Sequence, residues 1–271
     1  MSAYAYAPFF HGLLAASLLM LALWLRQRQS RNATSVDIAW AAGIGLLALY
    51  FAASNTGESA RRLLVAVLAA SWAFRLAWHL HQRAHGEKED GRYQMLRAQW
   101  GASAQRNFFF FFQAQALLVA LFALPAFLAT ANPMPLSWLD ALGVCLWIVA
   151  IVGESMADAQ LAQFRRDPAN KGQTCRHGLW AYSRHPNYFF EWLYWFAYVP
   201  LALPFAFGWL SLIAPALMLY LLFAVTGIPY TEKRALASRG DDYRDYQRRT
   251  SAFFPWFAKR SNKEVKREVT L

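Results

Sequence analysis

The sequence predicts an all-α, polytopic membrane protein, and three observations carry that prediction. The chain of 271 residues is 57% apolar and 17% aromatic with only 16% charged. That is too apolar for an ordinary soluble domain and too patterned for disorder. Seven apolar runs can be read, several of them approaching the roughly 20 residues that carry a helix across a bilayer. The basic residues gather in the segments between those runs, and mainly in every second one. The net charge of +11 therefore reflects membrane topology, and no nucleic-acid partner is expected.

The runs cover about 8–25, 38–53, 63–80, 108–131, 136–157, 188–204 and 209–228. Arg26, Arg28 and Arg31 follow the first, and Arg83, Lys88, Arg92, Arg97 and Arg106 separate the third from the fourth. Arg165, Arg166, Lys171, Arg176 and Arg184 separate the fifth from the sixth, and the segment after Ile228 is again rich in Lys and Arg. Residues 131–135 and 204–208 contain neither. Only Arg61 and Arg62 break the alternation. The expected topology is seven transmembrane helices with the N-terminus outside and the C-terminus in the cytoplasm. Met1 to Ala7 lacks a basic n-region, so no cleavable signal peptide is expected. Cys145 and Cys175 make neither a metal spacing nor a disulfide framework. His79, His81 and His85 stand at i, i+2 and i+6, which do not share a helix face, and no metal is expected.

Polar chemistry concentrates in Gly178-Leu-Trp-Ala-Tyr-Ser-Arg-His-Pro-Asn-Tyr-Phe-Phe-Glu-Trp192, just before an apolar run. Charge in that position is costly and usually functional. Proline fits the first turn of a helix, so His185-Pro186 reads as a helix start. Asn187 and Glu191 then share one face at i and i+4. Glu154 and Asp158 have the same spacing at the end of the fifth run, ahead of Arg165 and Arg166. Carboxylates in such a helix face a cavity or an internal ion-pair network rather than lipid. Ser35 and Asp37 both suit the N-cap of the second helix. From Glu232 to Phe257 charges alternate with aromatic residues, which reads as an interfacial cap over the cytoplasmic mouth. No Gly-x-Gly-x-x-Gly or Walker pattern is present, so a nucleotide would be held without a Rossmann unit.

Ser183-Arg-His-Pro-Asn-Tyr-Phe-Phe-Glu-Trp192 and Asp242-Tyr-Arg-Asp-Tyr-Gln-Arg-Arg-Thr-Ser-Ala-Phe-Phe-Pro-Trp256, with Ser35-Val-Asp-Ile-Ala-Trp40 and Lys88-Glu-Asp-Gly-Arg-Tyr93, resemble the steroid 5α-reductase family. The resemblance spans nearly the whole chain, is closest to a bacterial branch of membrane proteins of unknown function, and is that of a bacterial homologue of the human type 2 enzyme. It implies one seven-helix reductase domain over 1–258, with the motif-bearing half at about 136–258, and a basic cytoplasmic tail at 259–271. It implies NADPH bound within the bundle from the cytoplasmic side, and reduction of the C4–C5 double bond of a 3-oxo-Δ4-steroid such as progesterone or testosterone. Asn187, Glu191, Asp158 and Arg165 match family cofactor contacts, and Glu154 falls where the human enzymes have asparagine. With Arg166, Tyr182, Arg184, His185, Glu232 and Tyr246 they make the expected cofactor site. Asp37 falls near the glutamate that polarises the steroid ketone, and Trp72 falls where the human enzymes place its tyrosine partner. Arg75 matches a downstream arginine. Tryptophan has no hydroxyl, so Tyr93 or Tyr188 is the replacement donor to consider. The expected protein is a monomer in the bacterial inner membrane, contacting membrane lipids and a steroid or enone lipid, with its site open to the cytoplasm.

Arg-His-Pro-x-Tyr with a later Glu, here Glu232, and a Tyr-x-x-Tyr segment also occurs in membrane methyltransferases of the isoprenylcysteine carboxyl methyltransferase type. Those use S-adenosylmethionine, and they form the alternative reading. Asp158 with Arg165 and the additional N-terminal spans favour the reductase.

Overall fold

A computed structural model describes residues 6–85, 89–225 and 227–258, and its regular elements there are helical. Glu87 and Lys88 of the charged loop and the basic tail 259–271 lie outside the described residues. The chain divides into two compact units, Met1–Gly143 with Tyr198–Ala214, and Val144–Ala197 with Pro215–Leu271.

The first unit is built on helices α1 (Ala7–Ser30), α2 (Ser35–Ser54), α3 (Ser59–Ala84), α4 (Gly91–Trp100) and α5 (Ala104–Ala131). Local chemistry sets their ends. Pro8 opens α1, whose last turn closes on Arg31 in the left-handed region at φ 51°. Glu58 caps α3 by accepting from the Arg61 N–H at 2.7 Å, and Asp90 caps α4 by accepting from the Arg92 N–H at 2.9 Å. α2 packs against α3 and α5, and α1 against α5 and α2. Gly45 makes the α2–α3 approach: a Cβ placed there would stand 2.4 Å from that of Ala73. Gly45→Val is therefore expected to destabilise the protein by about 1–3 kcal/mol. A melt in detergent reads it, and Ala73→Gly in the same background should recover part of the loss.

Arg61 and Arg62, which broke the charge alternation, are consumed by this unit. Arg61 is fully buried and pairs with Asp140 through Nε to Oδ1 at 2.6 Å and Nη2 to Oδ2 at 2.8 Å. Its remaining donors reach the carbonyls of Asn132, Met134 and Pro135. Arg62 donates to the Ala52 and Ala53 carbonyls at the end of α2. Neither guanidinium is a free loop charge of the kind that orients a membrane protein.

Helix α6 (Trp138–Arg166) enters the second unit, which also holds α7 (Pro186–Phe196), α10 (Ile228–Arg239) and α11 (Asp241–Arg249). α8 (Val199–Ala202) belongs to the first unit, and α9 (Ile213–Tyr220) bridges the boundary in sequence at residues 214–215. α6 runs nine residues beyond the expected 136–157, because Asp-Ala-Gln-Leu-Ala-Gln-Phe-Arg-Arg is polar but rich in helix formers. Among the described residues, six segments are long and apolar enough to cross a membrane: Ala7–Ser30, Ser35–Ser54, Ser59–Ala84, Gly91–Ala131, Trp138–Arg166 and Gly208–Arg239. The expected run 188–204 is not among them. It is α7 followed by α8, interrupted at residues 197–198. α7 alone rises only about 16 Å, and Pro200 supplies no N–H to carry the ladder across the break. The last apolar run is likewise segmented, into a 3₁₀ turn at Gly208–Leu212, α9 and a π turn at Leu221–Val225.

Candidate functional site

In the second unit, Pro186 begins α7 as the His185-Pro186 spacing predicts, leaving Ser183, Arg184 and His185 in the extended approach to it. Ser183 pairs with Ser251 in a parallel bridge, the Arg184 N–H donates to the Ser251 carbonyl at 2.8 Å, and the Trp256 N–H to that of Tyr182 at 2.9 Å. Glu232 on α10 gathers the side chains. It accepts from Arg184 Nε and Gln247 Nε2, both at 2.7 Å, and lies 3.3 Å from His185 Nε2 and 3.4 Å from the Tyr243 hydroxyl. Burial pushes the Glu232 carboxyl up, but the hydrogen bonds from His185, Arg184 and Gln247 outweigh it and hold the group at about 2. Burial and the nearby Glu232 charge push the Tyr243 phenol up to about 12. Tyr246, fully buried, sets its hydroxyl against the carbonyls of Trp180 and Ser183, and Arg176 pairs with Asp242 and Asp245 above its ring.

Five of the expected cofactor contacts, Tyr182, Arg184, His185, Glu232 and Tyr246, thus form a brace that holds residues 182–185 against α10 and α11. Within that brace the Tyr246 hydroxyl donates to the backbone carbonyls of Trp180 and Ser183. The other six lie elsewhere in the unit. Asn187 Nδ2 donates to Asp158 Oδ1 at 3.2 Å, joining the polar faces of α7 and α6. Glu191 stands one turn after Asn187, and the buried Glu154 one turn before Asp158. The helices come close because Phe190 lies on Gly153, where a Cβ would meet its ring at 2.4 Å.

Arg165 and Arg166 end α6 at the rim of an open cleft that Lys171 and Arg239 also line. Among the described residues none of these four cations has a carboxylate within ion-pair distance. Asp167, the one acid in the lining, accepts from the Ala169 N–H at 2.9 Å. Arg239 is half-buried and lies over the Tyr243 ring at 4.9 Å. Burial first, and the neighbouring Arg165 after it, push its guanidinium below the usual arginine range. Four cations against one acid in the lining make a net positive, anion-binding surface. Arg239 was missed in the sequence because it stands 73 residues from Arg166, with nothing local to mark it.

In the first unit the structure places Asp37 in the first turn of α2, with Thr34 at the N-cap position, so Asp37 is not the cap. Its carboxylate accepts from the Tyr93 hydroxyl and from Arg92 Nη2, each at 2.6 Å. The Asp90 carboxylate accepts from Arg92 and Arg83, the latter at 2.7 Å, and the Asp90 N–H donates to the Thr34 hydroxyl oxygen at 2.8 Å. Burial raises the Asp90 carboxyl, but those two arginines hold it well below the usual carboxylate range. A small cavity lies among Asp37, Arg83 and Asp90. Trp72 is fully buried and meets Trp40 edge-on, with ring centroids 6.3 Å apart. Asp37 and Tyr93 are therefore brought together, while Trp72 packs against Trp40, three residues after Asp37.

Residues 23–250 match the model of the family described as Protein of unknown function (DUF1295). The chain is also similar to the uncharacterized protein C594.04c of Schizosaccharomyces pombe, at 25% identity over 284 residues that cover 92% of this chain and 80% of that one. No solved structure matches the chain.

Proposed function

The chain belongs to the DUF1295 family, and we propose that it is a membrane-embedded NADPH-dependent reductase. Its substrate is an enone lipid, with 3-oxo-Δ4-steroids reduced at C4–C5 as the specific case. The observation that supports this over methyl transfer is the net positive cleft, lined by Arg165, Arg166, Lys171 and Arg239 against the single acid Asp167. A dinucleotide brings several phosphates to such a surface, whereas S-adenosylmethionine brings none and carries a positive sulfonium that the same field repels.

The cleft residues hold the phosphates, and the linked Asp158 and Asn187 offer an acceptor and a donor amide to the rest of the nucleotide. When bound, the cofactor supplies the hydride. The protein's part is to orient the enone and to stabilise the negative charge that appears on its carbonyl oxygen. Within the first unit, the polar group Asp37–Arg92–Tyr93 at the start of α2 is the candidate place for that oxygen.

Contacts within each unit favour seven crossings. Arg184 and Glu232 touch, so the chain between them crosses an even number of times. Residues 208–225 make one crossing, and the broken α7–α8 pair makes the other. At its far end the Leu201 carbonyl accepts from Asn132 Nδ2 at 2.9 Å, in the loop between α5 and α6. With Arg61 and Arg62 internally engaged, the charge pattern of the remaining basic segments supports a proposed topology in a bacterial inner membrane with the C-terminus and the cleft cytoplasmic and the N-terminus outside.

Equilibrium binding of NADPH to the detergent-purified protein tests the reading. Arg239→Ala is expected to weaken NADPH about tenfold, the scale of one charge-assisted phosphate contact, with a steeper loss as salt rises in the wild type than in the variant. Wild-type protein that binds S-adenosylmethionine and not NADPH would transfer the assignment to the methyltransferase class.

A further inference from the structure

Trp40 carries a polar atom that the protein leaves unanswered. Its indole Nε1 is shut off from solvent and has no hydrogen-bond partner among the described residues. Buried donors of this kind are rarely left unmade, because the group loses its water and gains nothing. Trp40 stands three residues after Asp37, so both side chains project from one face of α2. Two edge-on rings hold the indole in place, Phe122 at 5.4 Å and 81° and Trp72 at 6.3 Å and 73°. The donor is thus oriented by packing before any ligand arrives. Its polar neighbours on that face are already engaged with each other, since both Tyr93 and Arg92 give their hydrogens to Asp37.

We infer that Trp40 is the hydrogen-bond donor to the carbonyl oxygen of the enone, which rests on the reductase reading above. The role suits an indole. Hydride addition at the β-carbon moves an electron pair through the double bond onto the carbonyl oxygen, and the α-carbon then takes one proton from solvent. The product is the saturated ketone, and no proton has to leave the group that faces the oxygen. An indole N–H donates strongly and does not ionise in this range, so it stabilises the oxyanion without acting as an acid. The fully buried Trp72 is then the wall that fixes the donor, in the place where a hydroxyl was expected.

Binding of testosterone and of its 3-deoxo analogue androst-4-en-17β-ol, with NADPH present, tests this. Trp40→Phe should weaken testosterone about tenfold and leave the 3-deoxo steroid unchanged, the scale of one donor removed from a carbonyl. Because phenylalanine also removes volume, β-(3-benzothienyl)alanine at position 40 provides a second variant that replaces the N–H by sulfur at nearly constant shape. It should give the same selective loss. The pH profile of turnover should keep its shape in both variants. Equal effects on the two steroids, or none on either, would overturn the role of Trp40 while leaving the reductase reading in place. Failure of wild-type protein to bind testosterone would overturn both.

Discussion

Asp140→Ala is expected to destabilise the protein by about 3–5 kcal/mol, the scale found when one member of a buried ion pair is removed. The effect comes from what remains. Arg61 is 1% exposed, and its side chain would stay charged in a site where three backbone carbonyls remain as partners but no anion does. Those carbonyls tie the start of α3 to the segment between α5 and α6, so the loss reaches three helices. Arg61→Met should be costly for the converse reason, leaving the Asp140 carboxylate, among the described residues, with the Ser137 N–H and hydroxyl. The double variant Arg61→Met with Asp140→Leu removes both charges and should recover much of the stability. Thermal or SDS-induced unfolding in mild detergent reads all three. A double variant no better than Asp140→Ala would show that the carbonyl contacts of Arg61, not the charge pairing, hold this end together.

The second large effect is expected at Glu232. Glu232→Ala strips the common acceptor from Arg184, His185, Gln247 and Tyr243 and leaves the Arg184 guanidinium, 12% exposed, without its carboxylate. Residues 182–185 should detach from α10 and α11, exposing the backbone near Ser251 and Trp256 to hydrogen exchange and proteolysis. The same contact makes stability depend on pH. The folded-state value of about 2 lies below the ordinary 4.5, so the unfolded chain binds the proton more readily. The stabilisation is fully present above about 4.5 and is lost as pH falls from there towards 2. Local exchange at 182–185, followed between pH 6 and 3, should accelerate in the wild type and vary far less in Glu232→Gln. Identical profiles would remove Glu232 as the titrating group.

Much of the fold was legible because a bilayer leaves the backbone few choices. Each apolar run must satisfy its own N–H and C=O groups, so α1, α2, α3, α5 and α6 appear where the runs appear. Hydropathy was less informative once a helix left the apolar region, as in the polar end of α6. It also could not show that the run at 188–204 breaks. There proline chemistry decides, and a continuous apolar stretch hides it. The start of α7 at Pro186 was legible for the opposite reason, since that signal is local.

The candidate site divides along the same line. The residue types were visible in the sequence: Asp158 and Asn187 as polar groups out of place beside apolar runs, Arg165 and Arg166 as cations at a helix end. Their partners were not, because partnership depends on helix rotation and on contacts between residues far apart in the chain. Arg61 read as an exception to the charge pattern until Asp140 was found against it. Tyr246 and Arg184 stood out as polar groups in the sequence, but their bonds to backbone carbonyls did not; Trp40 was visible only as part of the motif at 35–40, and nothing local tied Arg239 to Arg165 and Arg166. By itself the sequence determined an all-helical membrane protein, the side of the membrane its charges favour and the inventory of groups available for chemistry. Those follow from local transfer energies and backbone hydrogen bonding. Which cations converge on one cleft, and which donor remains without an acceptor, only the tertiary structure decided, because each is a property of the space between helices.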